Sequence, residues 1–305
     1  MRNIEYRIGS LKSKEKQITS FMIVNELLPE EWYLNMRSKT QVIWGTRSIY
    51  ITWKAAIQNH KALLNFVGDY NPDVSVAQEM HLLSCESQNA TITLAQLITN
   101  CIVSFTTFLT VTEKNLTKNS KSSVHLELWN KKRKDLHSHS FSYRLGYELR
   151  NYSQHYEIPI NEVVFTMRDD SVTQLQAYAE SIRLLDGSYN WKSLKNELRQ
   201  EKNSRIDLMQ LLQEYLACIN EIYINTLDVY LEEVVECRNF ILELCIKHEI
   251  DEDSHPVVFK GAIVHGTKLP REKEFIPLYL LNQMRRDWIR ELNYDIAISS
   301  MPPPA

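Results

Sequence analysis

Apolar residues recur along this chain mostly at helical spacing. From Thr91 onward, Leu94, Leu97, Ile98, Cys101, Ile102, Phe105, Phe108 and Leu109 follow i, i+3, i+4 and i+7, which predicts a helix with one buried stripe. From about Arg205 to His248, the positions Leu208, Leu212, Tyr215, Ile219, Ile222, Thr226 and Val229 alternate steps of four and three. Leu211, Cys218 and Leu227 widen that stripe, so it predicts a bundle core rather than the narrow seam of a coiled-coil dimer. Helical patterns also cover Ala55 to Phe66, Ser123 to Asp135, Phe141 to Tyr156, Ser171 to Leu185, Asn190 to Gln200 and Ile276 to Leu292. The turn Asp186-Gly187-Ser188 separates the fourth of these from the fifth, and Asn71-Pro72-Asp73 reads as another turn.

Strand signals are fewer. Thr40 to Trp53 carries Val42, Ile43, Trp44, Ile49, Tyr50 and Ile51, a density of β-branched and aromatic residues that predicts a strand. Val163 to Met167 reads the same way, with a partner expected in Val257 to Val264. Residues 1–16 are charged and are expected to be loosely ordered, and Met301 to Ala305 reads as a frayed extension. The fold class expected is mainly α: a helical bundle with a mixed N-terminal part and a few short strands. Its division would be residues 1–90 as an N-terminal subdomain, 91–250 as the helical core and 251–305 as a C-terminal extension with one helix.

Composition narrows this picture. With 305 residues, 44% hydrophobic and 24% charged, the chain can build a substantial core, and 7 Gly with 9 Pro are too few for a turn-dense sandwich or barrel. A net charge of −3 excludes a basic nucleic-acid coat but leaves room for a local cationic site. Cys85, Cys101, Cys218, Cys237 and Cys245 are scattered and form no C-x-x-C pair, as expected of reduced core thiols in a cytoplasmic protein. No apolar export signal opens the chain. The uncharged run Ser87 to Thr112 is rich in Thr, Gln and Asn and reads as a buried helix, not a membrane span. Trp32, Trp44 and Trp53 read as core packing, and His125, His137 and His139 as exposed histidines, with no metal site and no cofactor expected. Patterns for phosphate loops, dinucleotide binding, serine esterases and zinc proteases are absent.

Candidate chemistry concentrates in Arg150-Asn151-Tyr152-Ser153-Gln154-His155. At 100° per residue, Arg150, Tyr143, Gln154, Tyr147, Asn151, Arg144, His155 and Glu148 share one polar arc of roughly 160°. Tyr152, Leu145, Tyr156 and Leu149 form the opposite apolar seam. A guanidinium fork grips phosphate and an imidazole exchanges protons near neutral pH, so the pair points to phosphodiester chemistry. Lys132 and Arg133, in the basic run Lys131-Lys132-Arg133-Lys134, are candidates for guiding RNA to the same helix.

The hexapeptide resembles the signature of the HEPN superfamily: Arg, four to six residues, then His, with Asn, Asp or His favoured directly after the Arg. Arg133 and His139 also fit the spacing, but Lys134 occupies their second position, whereas Asn151 fits the pattern. The resemblance covers residues 90 to 250 and implies a HEPN-like helical core. It further implies a metal-independent endoribonuclease, often a toxin or an antiviral, abortive-infection effector. Arg150, Asn151 and His155 would be its catalytic residues, with Tyr147, Gln154, Arg144, Lys132 and Arg133 binding substrate. Partners implied are RNA, a second copy completing a composite site, and an inhibitor or sensor that restrains the activity. The alternative is a non-catalytic HEPN-like scaffold that binds RNA, a nucleotide or a protein.

Overall fold

A computed structural model describes residues 5–14, 17–70, 80–118, 123–168, 171–200, 204–251, 253–261 and 272–295. The Asn71-Pro72-Asp73 turn and the Met301 to Ala305 extension lie outside them. The described residues form eight α-helices and seven strands, so the fold is mainly α. In chain order these are β1 (Tyr6–Lys14), β2 (Gln17–Ile23), α1 (Glu30–Asp69), α2 (Met80–Lys118), α3 (Ser123–His139) and α4 (Phe141–His155). There follow β3 (Glu162–Arg168), β4 (Ser171–Glu180), α5 (Ser181–Asp186), α6 (Leu194–Leu198), β5 (Arg205–Asp207), α7 (Leu208–Lys247), β6 (His255–Lys260), β7 (Glu272–Phe275) and α8 (Leu278–Leu292).

Contacts divide the chain into two compact units, one of Met1–Ser48 with Thr226–Ala305 and one of Ile49–Asn225. The linear division at residues 90 and 250 is therefore not the one the contacts make. Within the first unit, an antiparallel sheet runs in the order β2-β1-β6-β7. Ile8, Leu11, Val257, Val258 and Phe259 are among its buried residues, and α8 packs on β6 with Leu281, Met284 and Trp288 buried. Gly9 permits this close pairing, because a Cβ there would stand 2.0 Å from the Met22 carbonyl oxygen. Within the stretch expected to be loosely ordered, Tyr6–Lys14 is therefore a strand, with Tyr6, Ile8, Ser10 and Leu11 buried where β1 pairs with the distant β6.

The second unit holds the polar helix. Here α2 packs against α3 and α4, and α3 packs against α4. Leu94, Ile98, Cys101, Ile102, Phe105, Phe108 and Leu109 of α2 are buried, as their spacing predicts, while Leu97 of the same stripe is only half-buried. Over Gln88–Lys118 this helix is also long and apolar enough to cross a membrane by length and composition. Several of its hydroxyls donate to the helix's own carbonyls, as where Thr106 donates to the Ile102 carbonyl at 3.0 Å, while the buried Thr112 hydroxyl has no partner among the described residues. Phe105 and Tyr143 both meet Tyr215 edge-on, at 5.3 and 5.6 Å between ring centroids. Gly146 makes room for that ring, since a Cβ would lie 2.3 Å from it.

Five expectations are corrected. Thr40 to Trp53 is helix, not strand: Thr40, Ile43, Thr46, Tyr50 and Trp53 are buried at helical intervals, while Trp44 and Ile51 are exposed. Of the three early tryptophans, only Trp53 is core, donating through Nε1 to Asn220 Oδ1 at 3.0 Å. Ser171 to Leu185 is mostly β4, with Leu175, Ala177 and Ala179 buried at period two. That strand, not Val257 to Val264, pairs with β3, whereas β6 pairs with β1. The helix expected over Asn190 to Gln200 shortens to α6.

Candidate functional site

α4 is built as its sequence predicts. Ser140 caps it by accepting the Tyr143 amide at 3.1 Å, and Tyr156 closes it by donating its amide to the Tyr152 carbonyl at 2.9 Å. His155 therefore sits in the final turn, and Pro159 just beyond prevents continuation. Ser142, Tyr143, Leu145, Gly146, Leu149 and Tyr152 form the buried face. Tyr143 belongs to it rather than to the polar arc: its ring is enclosed against Tyr215, and its hydroxyl accepts from Arg133 Nε at 3.3 Å. Tyr156 leaves the apolar seam to become the cap and is half-exposed.

Much of the polar arc is covered by the segment that contains Tyr189, Trp191 and α6. Arg144 donates to Glu197 Oε2 and to the His137 carbonyl, each at 2.6 Å, and its side chain is only 13% exposed. Glu148 accepts from the Tyr189 hydroxyl at 2.5 Å and pairs with Lys192 Nζ at 2.9 Å. Burial first, and then the hydrogen bond to Glu148, push the Tyr189 phenol well above its ordinary pKa. A hydrogen bond also joins Asn151 to Tyr189. Tyr152 meets Tyr189 and Trp191 at 5.6 and 5.1 Å, and Trp191 Nε1 donates to the Leu184 carbonyl at 2.7 Å.

Gln154 and His155 remain exposed, and Tyr147 and Arg150 half-buried. Arg150 donates to Asn151 Oδ1 at 3.0 Å and, among the described residues, faces no carboxylate at ion-pair distance. Its remaining guanidinium N–H groups are available to an anion. Lys132 and Arg133 differ: Lys132 pairs with Glu221 at 2.7 Å, while Arg133 lies 4.6 Å over the Trp129 ring and 3.5 Å from Glu113. Both therefore hold α3 in place, and only Lys131 and Lys134 of that basic run are exposed. The sequence brings Arg150, Asn151 and His155 to one end of α4 as expected; it gives no sign of the Tyr189-to-Glu197 cover beyond an aromatic pair after a turn.

Four described cysteines are buried and free, and burial pushes the Cys101 and Cys237 thiols up to about 12, which removes them as nucleophiles. Among the described residues, no group of three or more His, Cys, Asp or Glu side chains could hold a metal ion. No family model, curated protein or solved structure matches this chain.

Proposed function

We propose that the end of α4 binds RNA and that a pair of such helices cleaves it, in a HEPN-like, metal-independent endoribonuclease of the toxin or antiviral type. One observation carries this reading: Arg150 keeps a guanidinium with no carboxylate partner among the described residues on the same helix end as the exposed His155, while Arg144 on that helix is held by Glu197 and the His137 carbonyl. Unpaired and half-buried, Arg150 is suited to a phosphate, with an anion replacing the water on its free donors.

The 2′-hydroxyl of the nucleotide attacks its own phosphorus as His155 takes the hydroxyl proton. The P–O5′ bond breaks, the leaving oxygen takes a proton from solvent, and the products are a 2′,3′-cyclic phosphate and a 5′-hydroxyl. Arg150 offsets the charge on the pentavalent phosphorane. Arg150 and His155 stand ~140° apart around α4 and ~7.5 Å along it. One helix does not aim both at one phosphorus, so a second copy supplies the complementary group.

Purified wild type should release cyclic-phosphate ends from RNA in EDTA. His155→Ala should lose about 100- to 10,000-fold and Arg150→Ala about 100- to 1,000-fold. Equal cleavage by wild type and His155→Ala overturns the assignment. The engagement of Asn151, Glu148 and Arg144 by Tyr189 and Glu197 favours a second reading, a scaffold that grips phosphate without cutting it. RNA binding that Arg150→Ala removes, with no cleavage by wild type, would select that reading.

A further inference from the structure

Immediately past α4 the chain borders a cleft of about 480 Å³, lined chiefly by Tyr152, Tyr156, Glu157, Asn161, Arg183 and Asp186. That size lies within the roughly 300–1,000 Å³ typical of small-ligand sites. Tyr156 is held in one orientation. It lies parallel to the buried Tyr152, 5.8 Å away with 5° between planes, and Tyr189 abuts it edge-on at 5.1 Å. Even so, 50% of Tyr156 is exposed. A large ring fixed by its neighbours and open to solvent is a stacking platform that loses little entropy when a second flat ring covers it.

The polar groups around this ring give it a preference. Asn161 Oδ1 accepts the Glu180 amide at 2.8 Å, so the Asn161 side chain offers the cleft N–H donors only. Arg183 adds a cation whose nearest carboxylate, Glu180, is 3.8 Å away. Glu157 and Asp186 have no hydrogen-bond or ion-pair partner among the described residues and supply acceptors. We infer that this cleft binds a nucleobase and prefers guanine. Of the four RNA bases, only guanine presents two adjacent N–H donors, N1–H and the 2-amino group, to one carboxylate. Its O6 and N7 on the far edge accept from an arginine or amide donor. Adenine, cytosine and uracil leave one carboxylate oxygen or one donor unmatched, which is costly once water is excluded.

Because Tyr156 directly follows His155, a base seated here would place its nucleotide beside the proposed proton-transfer group; this last link alone rests on the ribonuclease reading. The test is binding, kept separate from cleavage. GMP, AMP, CMP and UMP are titrated calorimetrically into the full chain and into Tyr156→Ala, Tyr156→Phe, Arg183→Ala and the double variant Glu157→Gln/Asp186→Asn. GMP should bind wild type at least about tenfold tighter than the other three. Tyr156→Ala should weaken it about 10- to 100-fold, while Tyr156→Phe keeps it. The double carboxylate variant should flatten the preference without loss of AMP binding, and the exposed Arg183→Ala, which disturbs no packing, should weaken GMP several-fold. No GMP binding, equal binding of all four nucleotides, or GMP binding indifferent to both Tyr156→Ala and Arg183→Ala overturns the inference. A short single-stranded RNA with one guanosine, compared with GMP, separates the two sources of guanine: tighter binding of the RNA assigns the cleft to a strand, equal binding to a free nucleotide. GMP binding without RNA cleavage leaves the cleft assigned while the ribonuclease reading falls, and cleavage without GMP binding does the reverse.

Discussion

Two histidines and two arginines show how burial decides what one side chain can do. Arg144 and Arg150 share α4, yet Glu197 occupies the first and no carboxylate of the described residues reaches the second. His155 is exposed at a helix end, whereas His60 is buried in α1 with its Nε2 atom unpartnered. Burial holds the His60 imidazole below its ordinary pKa, so the folded chain keeps it neutral where the unfolded chain would protonate it. Between the depressed folded pKa and the ordinary value of 6.5, the unfolded state binds more protons. Stability therefore rises with pH through that window, is fully present above it and is lost as pH falls through it. His248 is shifted the same way, by burial and then by Lys247. Urea unfolding from pH 5 to pH 8 should show wild type weakening below about pH 6.5. His60→Leu should flatten part of that slope and leave the His248 share; an unchanged slope would mean that His60 is already solvated in the folded state.

At the scale of elements, the long amphipathic helices were legible because one buried stripe serves one large core. α7 kept the bounds of its stripe to within a few residues, while α2 runs beyond its stripe at both ends, from Met80 to Lys118. α1 was misread because Val42, Ile43, Trp44, Tyr50 and Ile51 suit a pleated surface, yet the segment joins neither sheet of the described residues. Their side chains are sorted at helical intervals instead. β4 failed in the opposite sense: Gln174, Gln176 and Ala177 favour a helix, and pairing with β3 and β5 overrides that preference. The α4 motif was legible as a helix face, but its cover was not, because Glu197 lies 53 positions from Arg144 in sequence. This has a measurable consequence for the residues once assigned to substrate. Arg144→Ala and Glu197→Gln should each cost about 1–3 kcal/mol of stability, since each leaves a poorly solvated charge without its partner. Their double variant should cost less than the sum. RNA affinity per folded molecule should stay at the wild-type level in all three. A loss of RNA affinity in Arg144→Ala without a fall in melting temperature would return Arg144 to the substrate site.

At the scale of the whole molecule, the first and last parts of the chain belong to one compact unit and the middle to another, with α1 and α7 contributing residues to both. The polar end of α4 and the adjoining cleft both lie in the unit of Ile49–Asn225, so a functional account of that unit need not involve the terminal sheet. What it does need, if Arg150 and His155 act on one phosphorus, is another copy of itself. Their ~140° separation around α4 turns this into a stoichiometric prediction. Arg150→Ala and His155→Ala should each be inactive alone, but a mixed pair would retain one arginine and one histidine for the shared site. After mixing equal amounts under conditions that let subunits exchange, about half of the pairs are mixed by random assortment, and activity should reappear in proportion to them. Sedimentation velocity at assay concentration should show the pair, and dilution below its dissociation constant should abolish cleavage by wild type. Should the mixture stay inactive although the subunits exchange, both groups must act from a single copy, and the composite arrangement at α4 is wrong.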